Sequence, residues 1–235
     1  QPHAAVVRLE GLVMPGAEID ADQMIESLQS AFYADLSTGV VLQINSPGGS
    51  PVQAERIYAE LVRLKQEHPD KKLIAVIEDM GASAAYYIAS AADEIVASRA
   101  SLVGSIGVII NGFGAVDLIE KLGLERRLIV AGDNKAMLDP FSPRDQAQEA
   151  YMQRMVDQIH TQFIDAVKAG RGDRLADRAD IFSGLVWNGE EARKLGLVDH
   201  IGSMEYTLRE ILGVEEQVDY SPQSDWFEVF SRQLG

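Results

Sequence analysis

The sequence predicts an α/β fold in which a parallel sheet is covered by helices. Three observations carry this. Short apolar, β-branched runs with few polar breaks, such as Val40-Val41-Leu42-Gln43-Ile44 and Leu73-Ile74-Ala75-Val76-Ile77, are what strands buried on both faces require. Each run is followed by apolar residues at helical spacing, so strand and helix alternate along the chain. No composition break and no repeat of solenoid period interrupts the 235 residues. One domain is therefore expected over residues 1–213, with residues 214–235 as a C-terminal tail.

In chain order, Ala5-Val6-Val7-Arg8-Leu9 reads as the first strand. Gly11 and a Pro15-Gly16 turn follow, and Met24, Leu28 and Phe32 at spacing four predict a helix. The Val40–Ile44 strand delivers the chain to Asn45-Ser46-Pro47-Gly48-Gly49. Ser50 then supplies a cap hydroxyl and Pro51 a first-turn proline for a helix carrying Ala54, Ile57, Leu61 and Leu64, stopped at His68-Pro69. The Leu73–Ile77 strand leads through Glu78-Asp79-Met80-Gly81 into a helix from Ala82 to Ile88, which places Ser83 at a strand-to-helix junction. Ile95-Val96-Ala97 and Leu102-Val103 are short strands, Val116 to Leu122 is a helix closed by Gly123, and Leu128-Ile129-Val130 is a further strand. Ser142-Pro143 predicts the start of a long helix ending at Gly170. Its stripe of Met152, Met155, Val156, Ile159, Phe163 and Val167 makes it an expected main packing element. A Leu185-Val186-Trp187 strand, a short helix capped by Asn188 and a helix from Ser203 to Leu212 complete the order.

Composition narrows the function. Hydrophobic residues at 46% and charged residues at 24% are ordinary globular usage, which excludes a disordered or low-complexity chain. Lys and Arg number 21 against 36 Asp and Glu, and the net charge of −15 repels a phosphate backbone, which argues against nucleic acid as a partner. With no cysteine, disulfides, thiolate zinc sites and cysteine nucleophiles are excluded. The longest nearly apolar stretch, Gly81 to Ala92, falls short of the ~20 residues a membrane-spanning helix needs. The chain opens at Gln1-Pro2-His3, so a processed or engineered start is expected, with any targeting segment already removed.

Two places could carry chemistry. Gly48-Gly49 permits positive φ and close backbone approach, so N–H groups there can point at a developing oxyanion; the plainer reading is a turn that only feeds a helix. Ser83, at a helix head, sits where the macrodipole and unpaired N–H groups stabilise an alkoxide; the plainer reading is a capping or packing serine. A serine nucleophile needs a base, and His3, His68, His160 and His200 each read as surface or rim residues. The alternative is a lysine kept neutral by desolvation. Lys135, alone in a Gly-Asp-Asn-Lys-Ala-Met-Leu loop, suits that role best on chemistry, with an exposed loop lysine as the plainer reading. Ser105, in a Gly-Ser-Ile-Gly turn, could orient it.

Other motifs are poorer. Gly112-Phe113-Gly114 lacks the third glycine of a dinucleotide fingerprint, no Walker loop occurs, and neither Asp177 with Asp180 nor any histidine pair has metal-ligand spacing. No metal and no cofactor are expected. Arg171-Gly172-Asp173 spells an adhesion tripeptide but reads as a helix end.

Taken together, Ile44-Asn45-Ser46-Pro47-Gly48-Gly49, Met80-Gly81-Ala82-Ser83-Ala84-Ala85-Tyr86-Tyr87, Gly104-Ser105-Ile106-Gly107-Val108 and Lys135 resemble, in order and spacing, the signal peptide peptidase A family of serine peptidases. The resemblance runs from about Val6 to Gly202. It includes Gly170-Arg171-Gly172 and the Gly-x-x-Ala-x-x-x-Gly-Leu-Val-Asp pattern from Gly189 to Asp199. It implies the Clp/crotonase superfold, with repeated β-β-α units. It implies Ser83 as nucleophile, Lys135 as general base, Ser105 as the hydroxyl that holds the lysine, and the Gly49 N–H in the oxyanion hole. No cofactor is implied. Peptide substrates are, either cleaved signal peptides or other hydrophobic peptides, together with a homo-oligomer whose active sites are shared between subunits.

The same resemblance implies a plasma (inner) membrane protein with an extracytoplasmic, periplasmic catalytic domain, held by an N-terminal anchor absent from this chain. Ala84-Ala85 departs from the family's usual Gly-Gly, and two methyl groups there could narrow the substrate cleft or shift backbone donors. The apolar Trp226-Phe227-Glu228-Val229-Phe230 run suits a subunit contact, or, less readily, a membrane. Two alternatives remain on the same fold. One is a crotonase-like acyl-CoA enzyme drawing on the glycine turn with Glu78 and Asp79; the other is a catalytically silent scaffold. A Clp-type Ser-His-Asp peptidase is disfavoured, because the chain reads Val108 where that version needs a histidine.

Overall fold

The apolar runs form the centre of one sheet. The structure is a computed structural model describing residues 1–222. Strands β1 (His3–Val13), β2 (Ser37–Gly49) and β3 (Lys72–Ala82) lie side by side in parallel, each longer than its apolar run. β4 (Glu94–Ala97) and β5 (Leu102–Gly104) share one edge of β3, β4 along Ile74–Ile77 and β5 along Met80–Ala82. The buried Ser101 sits at this change of neighbour. Its hydroxyl accepts from the Ser98 N–H and serves the carbonyls of Ile77 and Glu78. β6 (Val186–Asn188) is antiparallel to β5, while β7 (His200–Ile201) and β8 (Gln217–Asp219) run parallel to β4 and β1. The strand order is β6-β5-β3-β2-β1-β8, with β4 and β7 branching from β3.

Both sheet faces are covered, as unbroken apolar runs require. On one face Leu9, Leu42, Ile44 and Ile77 pack with Met24, Leu28 and Phe32 of α1 (Ala21–Tyr33) and with Ile57, Leu61 and Leu64 of α2 (Pro51–Glu67). α3 (Ala84–Ala89) lies wholly within this core. On the other face Val6, Val41, Ile74, Val76 and Val96 meet Met204 and Leu208, from a helix at Met204–Tyr206 that widens into a π-helical turn at Thr207–Leu212. Further along that face the same strands turn polar: Arg8 donates to Gln43 (3.3 Å), and Gln43 to Glu78 (2.9 Å).

The chain forms two compact units. One comprises residues 1–107 with 163–222; the other is Val108–Gln162. The second unit holds α4 (Val116–Lys121), closed by Gly123 at φ 69°, and the turns from Gly132 to Ser142. Leu128-Ile129-Val130 forms no strand: Ile129 is 99% exposed, and an isolated aliphatic run without a ladder partner has nothing to pair with. The long helix α5 (Gln146–Arg171) begins after the expected Ser142-Pro143 start, because the Asp145 carboxylate accepts from the Ala147 and Gln148 N–H groups and caps it there. Only Phe163, Ala166, Val167 and Arg171 of α5 are buried, so its first two-thirds is not the packing element its stripe suggested. Of the residues read as a tail, 217–219 form β8, while Trp226–Phe230 lie outside the described residues.

Candidate active site

Ser83 stands where β3 ends and α3 begins, as its sequence context predicts. It carries φ 54° and ψ −127°, a conformation an L-residue adopts only at a cost of about 1–3 kcal/mol. The junction imposes it. The Ser83 N–H donates to the Gly104 carbonyl at 2.8 Å as the last rung toward β5, while its own carbonyl accepts from the Tyr87 N–H at 3.0 Å as the first bond of α3. The chain must turn from strand to helix within one residue. The Ser83 hydroxyl makes no capping bond to α3, which removes the capping-serine reading, and the residue is only half-buried.

Gly48 and Gly49 stand beside it. A Cβ at Gly48 (φ 100°) would lie 2.8 Å from the Ala82 carbonyl oxygen, the Ala84 nitrogen and the Ser83 Cβ. Only glycine allows the turn to sit this close to the serine. Gly49 (φ 149°) is opposite Val13 in the register with β1, and the Ser50 N–H donates to the Val13 carbonyl at 2.6 Å. In a parallel ladder that arrangement turns the N–H of the residue opposite Val13 away from β1. The β2–β3 pairing ends at Ser46 and Gly81, so the Gly49 amide lies beyond the last rung of that ladder.

Ser105 (φ 52°) follows the carbonyl that holds the Ser83 amide, and its own N–H donates to Leu185 at 2.8 Å. Ser83, Ser105 and Leu138 are the non-glycine residues of positive φ among the described residues, and two of them thus meet at one junction. Lys135 belongs to the second unit. It is exposed, in a turn where its N–H donates to the Gly132 carbonyl at 3.0 Å.

Ala84 and Ala85, whose methyl groups could narrow the cleft or shift backbone donors, are 5% and 0% exposed and belong to the core. Glu78 and Asp79 are engaged by the amides of Gln43 (2.9 Å) and Asn45 (3.3 Å). Among the histidines, His3 meets the Tyr220 hydroxyl (3.2 Å), His68 packs against Phe32 and Tyr33, and His200 is 2.6 Å from Glu94.

Behind the site lies an ion pair that sequence reading missed. Arg171, fully buried, donates to both carboxylate oxygens of Asp199 at 2.8 Å each and through Nε to the Gly196 carbonyl at 2.9 Å. The Ile95 N–H and Arg174 also donate to Asp199. Burial pushes the Asp199 carboxyl up, but Arg171, the Ile95 amide and Arg174 outweigh it and hold the group below the ordinary aspartate range. Tyr86 of α3 donates to the Leu197 carbonyl at 2.7 Å; burial raises its phenol, so it stays a neutral donor. The glycines of this region serve close approach. A Cβ on Gly170, Gly189 or Gly196 would lie 1.8 Å from the carbonyl of Ser90, Ser98 or Arg174. The Gly189–Asp199 pattern is thus a packing and pairing motif that anchors the helix whose head is Ser83.

The strand ends of the parallel sheet thus present a strained, uncapped serine beside a glycine turn. The chain belongs to peptidase family S49, that of signal peptide peptidase A, whose family model matches residues 65–218. Its fold, a mainly parallel sheet covered by helices, is the one a solved peptidase structure shares. A protein of Brucella abortus (strain 2308) named Na(+)/H(+) antiporter NhaA is 42% identical over 213 residues, covering 88% of this chain and 29% of that protein. The chloroplastic serine protease SPPA of Arabidopsis thaliana is 30% identical over 202 residues, covering 85% of this chain and 29% of that protein. The chain therefore spans under a third of the length of each. Among solved structures, the 1510-N membrane-bound stomatin-specific protease, a lysine-to-alanine mutant in complex with a substrate peptide, matches with a TM-score of 0.55 at 13% identity, over 100% of this chain and 98% of that one. That likeness is one of fold. Among the described residues no helix is long and apolar enough to cross a membrane, and no His, Asp and Glu cluster could hold a metal ion.

Proposed function

We propose that the chain is an endopeptidase that hydrolyses hydrophobic peptides, cleaved signal peptides among them, through a Ser83–Lys135 dyad. The observation that carries this is the strained, uncapped Ser83 pressed against the Gly48-Gly49 turn. In this reading a neutral Lys135 takes the Ser83 proton as Oγ attacks the peptide carbonyl. The Gly49 N–H stabilises the oxyanion, the protonated lysine returns its proton to the leaving amine, and water then releases the acyl-enzyme. Ser105 orients the lysine.

Ser83 and Lys135 lie in different units, so the reading requires Lys135 Nζ to come within hydrogen-bond reach of Ser83 Oγ, from the same chain or a neighbouring copy. A homo-oligomer with shared active sites supplies the second case and the desolvation a neutral lysine needs. We place the domain on the outer side of the plasma membrane, as the family resemblance implies. Residues 1–213 act as the catalytic domain.

The test is cleavage of a fluorogenic hydrophobic peptide by wild type, Ser83→Ala and Lys135→Ala, beside fluorophosphonate labelling and native mass. Both variants are expected to lose activity, with labelling abolished in Ser83→Ala. Full activity in Lys135→Ala would reject the lysine as base. An assembled wild type that is neither labelled nor active would favour a silent scaffold or an acyl-CoA enzyme.

A further inference from the structure

We infer that Ser46 is a positioning residue for the oxyanion turn: its buried hydroxyl holds the Gly48 amide so that the next amide, Gly49, faces Ser83. The inference rests on the reading of Ser83 as nucleophile and Gly49 as oxyanion donor. Ser46 is 0% exposed, a polar side chain among the apolar residues at the ends of β2 and β3. Its Oγ accepts the Gly48 N–H at 3.1 Å. It is also the last residue of β2 to pair with β3, opposite Gly81, after a break in register that follows Ile44. One residue therefore closes the ladder that leads to Ser83 and opens the turn that faces it.

The turn needs such a hold. Gly48 and Gly49 adopt φ 100° and 149°, and glycine crosses easily between such conformations and their alternatives. Neither glycine has a side chain to fix the peptide between them, and Pro47 has no N–H to contribute. On the β1 side, the Ser50 N–H bonded to Val13 holds the far end of the turn. On the β3 side, the Ser46 hydroxyl holds the near end. With the Gly48 N–H consumed by Ser46, the Gly49 N–H is the amide of the pair left to meet an oxyanion. An oxyanion donor works by being aimed before charge develops, so loss of the hold acts on the transition state rather than on substrate binding.

The test compares wild type with Ser46→Ala, which removes the acceptor, and Ser46→Cys, which keeps similar volume but accepts weakly. Steady-state cleavage is measured beside inhibition by a peptide aldehyde, which forms a tetrahedral adduct, and by the matching peptide alcohol, which does not. Both variants are expected to lower kcat and weaken the aldehyde about 10–100-fold, leaving KM and alcohol affinity within about twofold. Ser46→Cys carries the test if Ser46→Ala does not fold. Unchanged kcat, or equal losses for aldehyde and alcohol, overturns the inference while Ser83→Ala remains inactive. An active Ser83→Ala instead overturns the nucleophile reading and this inference with it.

Discussion

The Cα of Gly48 lies so close to Ser83 that a side chain there would put its Cβ 2.8 Å from the Ser83 Cβ. The glycine turn and the strained serine are one packed unit, and the first prediction follows from that contact. Gly48→Ala meets two backbone atoms as well as Ser83, at a φ of 100° that alanine avoids. It is expected to cost at least about 1–3 kcal/mol of stability and to lower peptidase activity at least ~100-fold. Gly16→Ala is the control. Gly16 also has positive φ, 71°, but nothing lies within 4 Å of its Cβ position, so stability should fall while kcat stays within about twofold. Thermal unfolding and peptide cleavage check both.

Ser83 itself stores backbone strain, which glycine would release. Ser83→Gly is expected to abolish activity while holding stability equal to, or up to ~1 kcal/mol above, that of Ser83→Ala, because alanine keeps the Cβ that opposes φ 54°. Urea unfolding of the two variants makes the comparison. A less stable glycine variant would mean that the junction is not strained.

Ala84 and Ala85, where the family resemblance implies glycines, are both buried in the core. Ala84→Gly and Ala85→Gly are therefore expected to lose about 1 kcal/mol each, through helix propensity and lost packing, without changing relative kcat/KM across substrates of different side-chain size. A shift in that selectivity would show that the methyl groups reach the cleft.

What was legible in the sequence follows the range of the interactions. The Ser50-Pro51 helix start, the buried β2 and β3 runs and the place of Ser83 between strand and helix are set by neighbours within a few residues, and pattern reading finds them. Leu128-Ile129-Val130 has strand composition, but a strand exists only through a partner that composition does not name. Ser142 and Asp145 are both competent caps, and geometry rather than residue type selects Asp145. Arg171, read as part of a helix end, answers an aspartate 28 residues later. Ser46 had a local signal that went unused: a serine two residues before a glycine amide, with a proline between, is the pattern of a side-chain-held turn.

The Arg171–Asp199 pair is the buried charge on which acid stability turns. Arg171 is removed from water, so taking away the aspartate leaves a buried guanidinium without its carboxylate, while taking away Arg171 leaves Asp199 with only the Ile95 amide and the half-exposed Arg174. Arg171→Ala or Asp199→Asn is expected to cost about 3–5 kcal/mol, far more than the same change at the exposed Arg63–Glu67 pair. The pH dependence has a definite sign. The Asp199 carboxyl lies below its ordinary value in the fold, so the folded state binds its proton less readily than the unfolded chain does. Its contribution is complete above the ordinary aspartate range and is lost as pH falls through about 4 and below, toward the depressed folded value. Urea unfolding of wild type between pH 7 and pH 3 should show stability falling over that acid window. Asp199→Asn has no carboxyl to protonate, so its stability, already lower at pH 7, should fall less steeply there. Parallel curves for the two proteins would place the acid-sensitive groups elsewhere, among them Glu94, whose carboxyl is pushed up by burial but held low by Lys72 and His200.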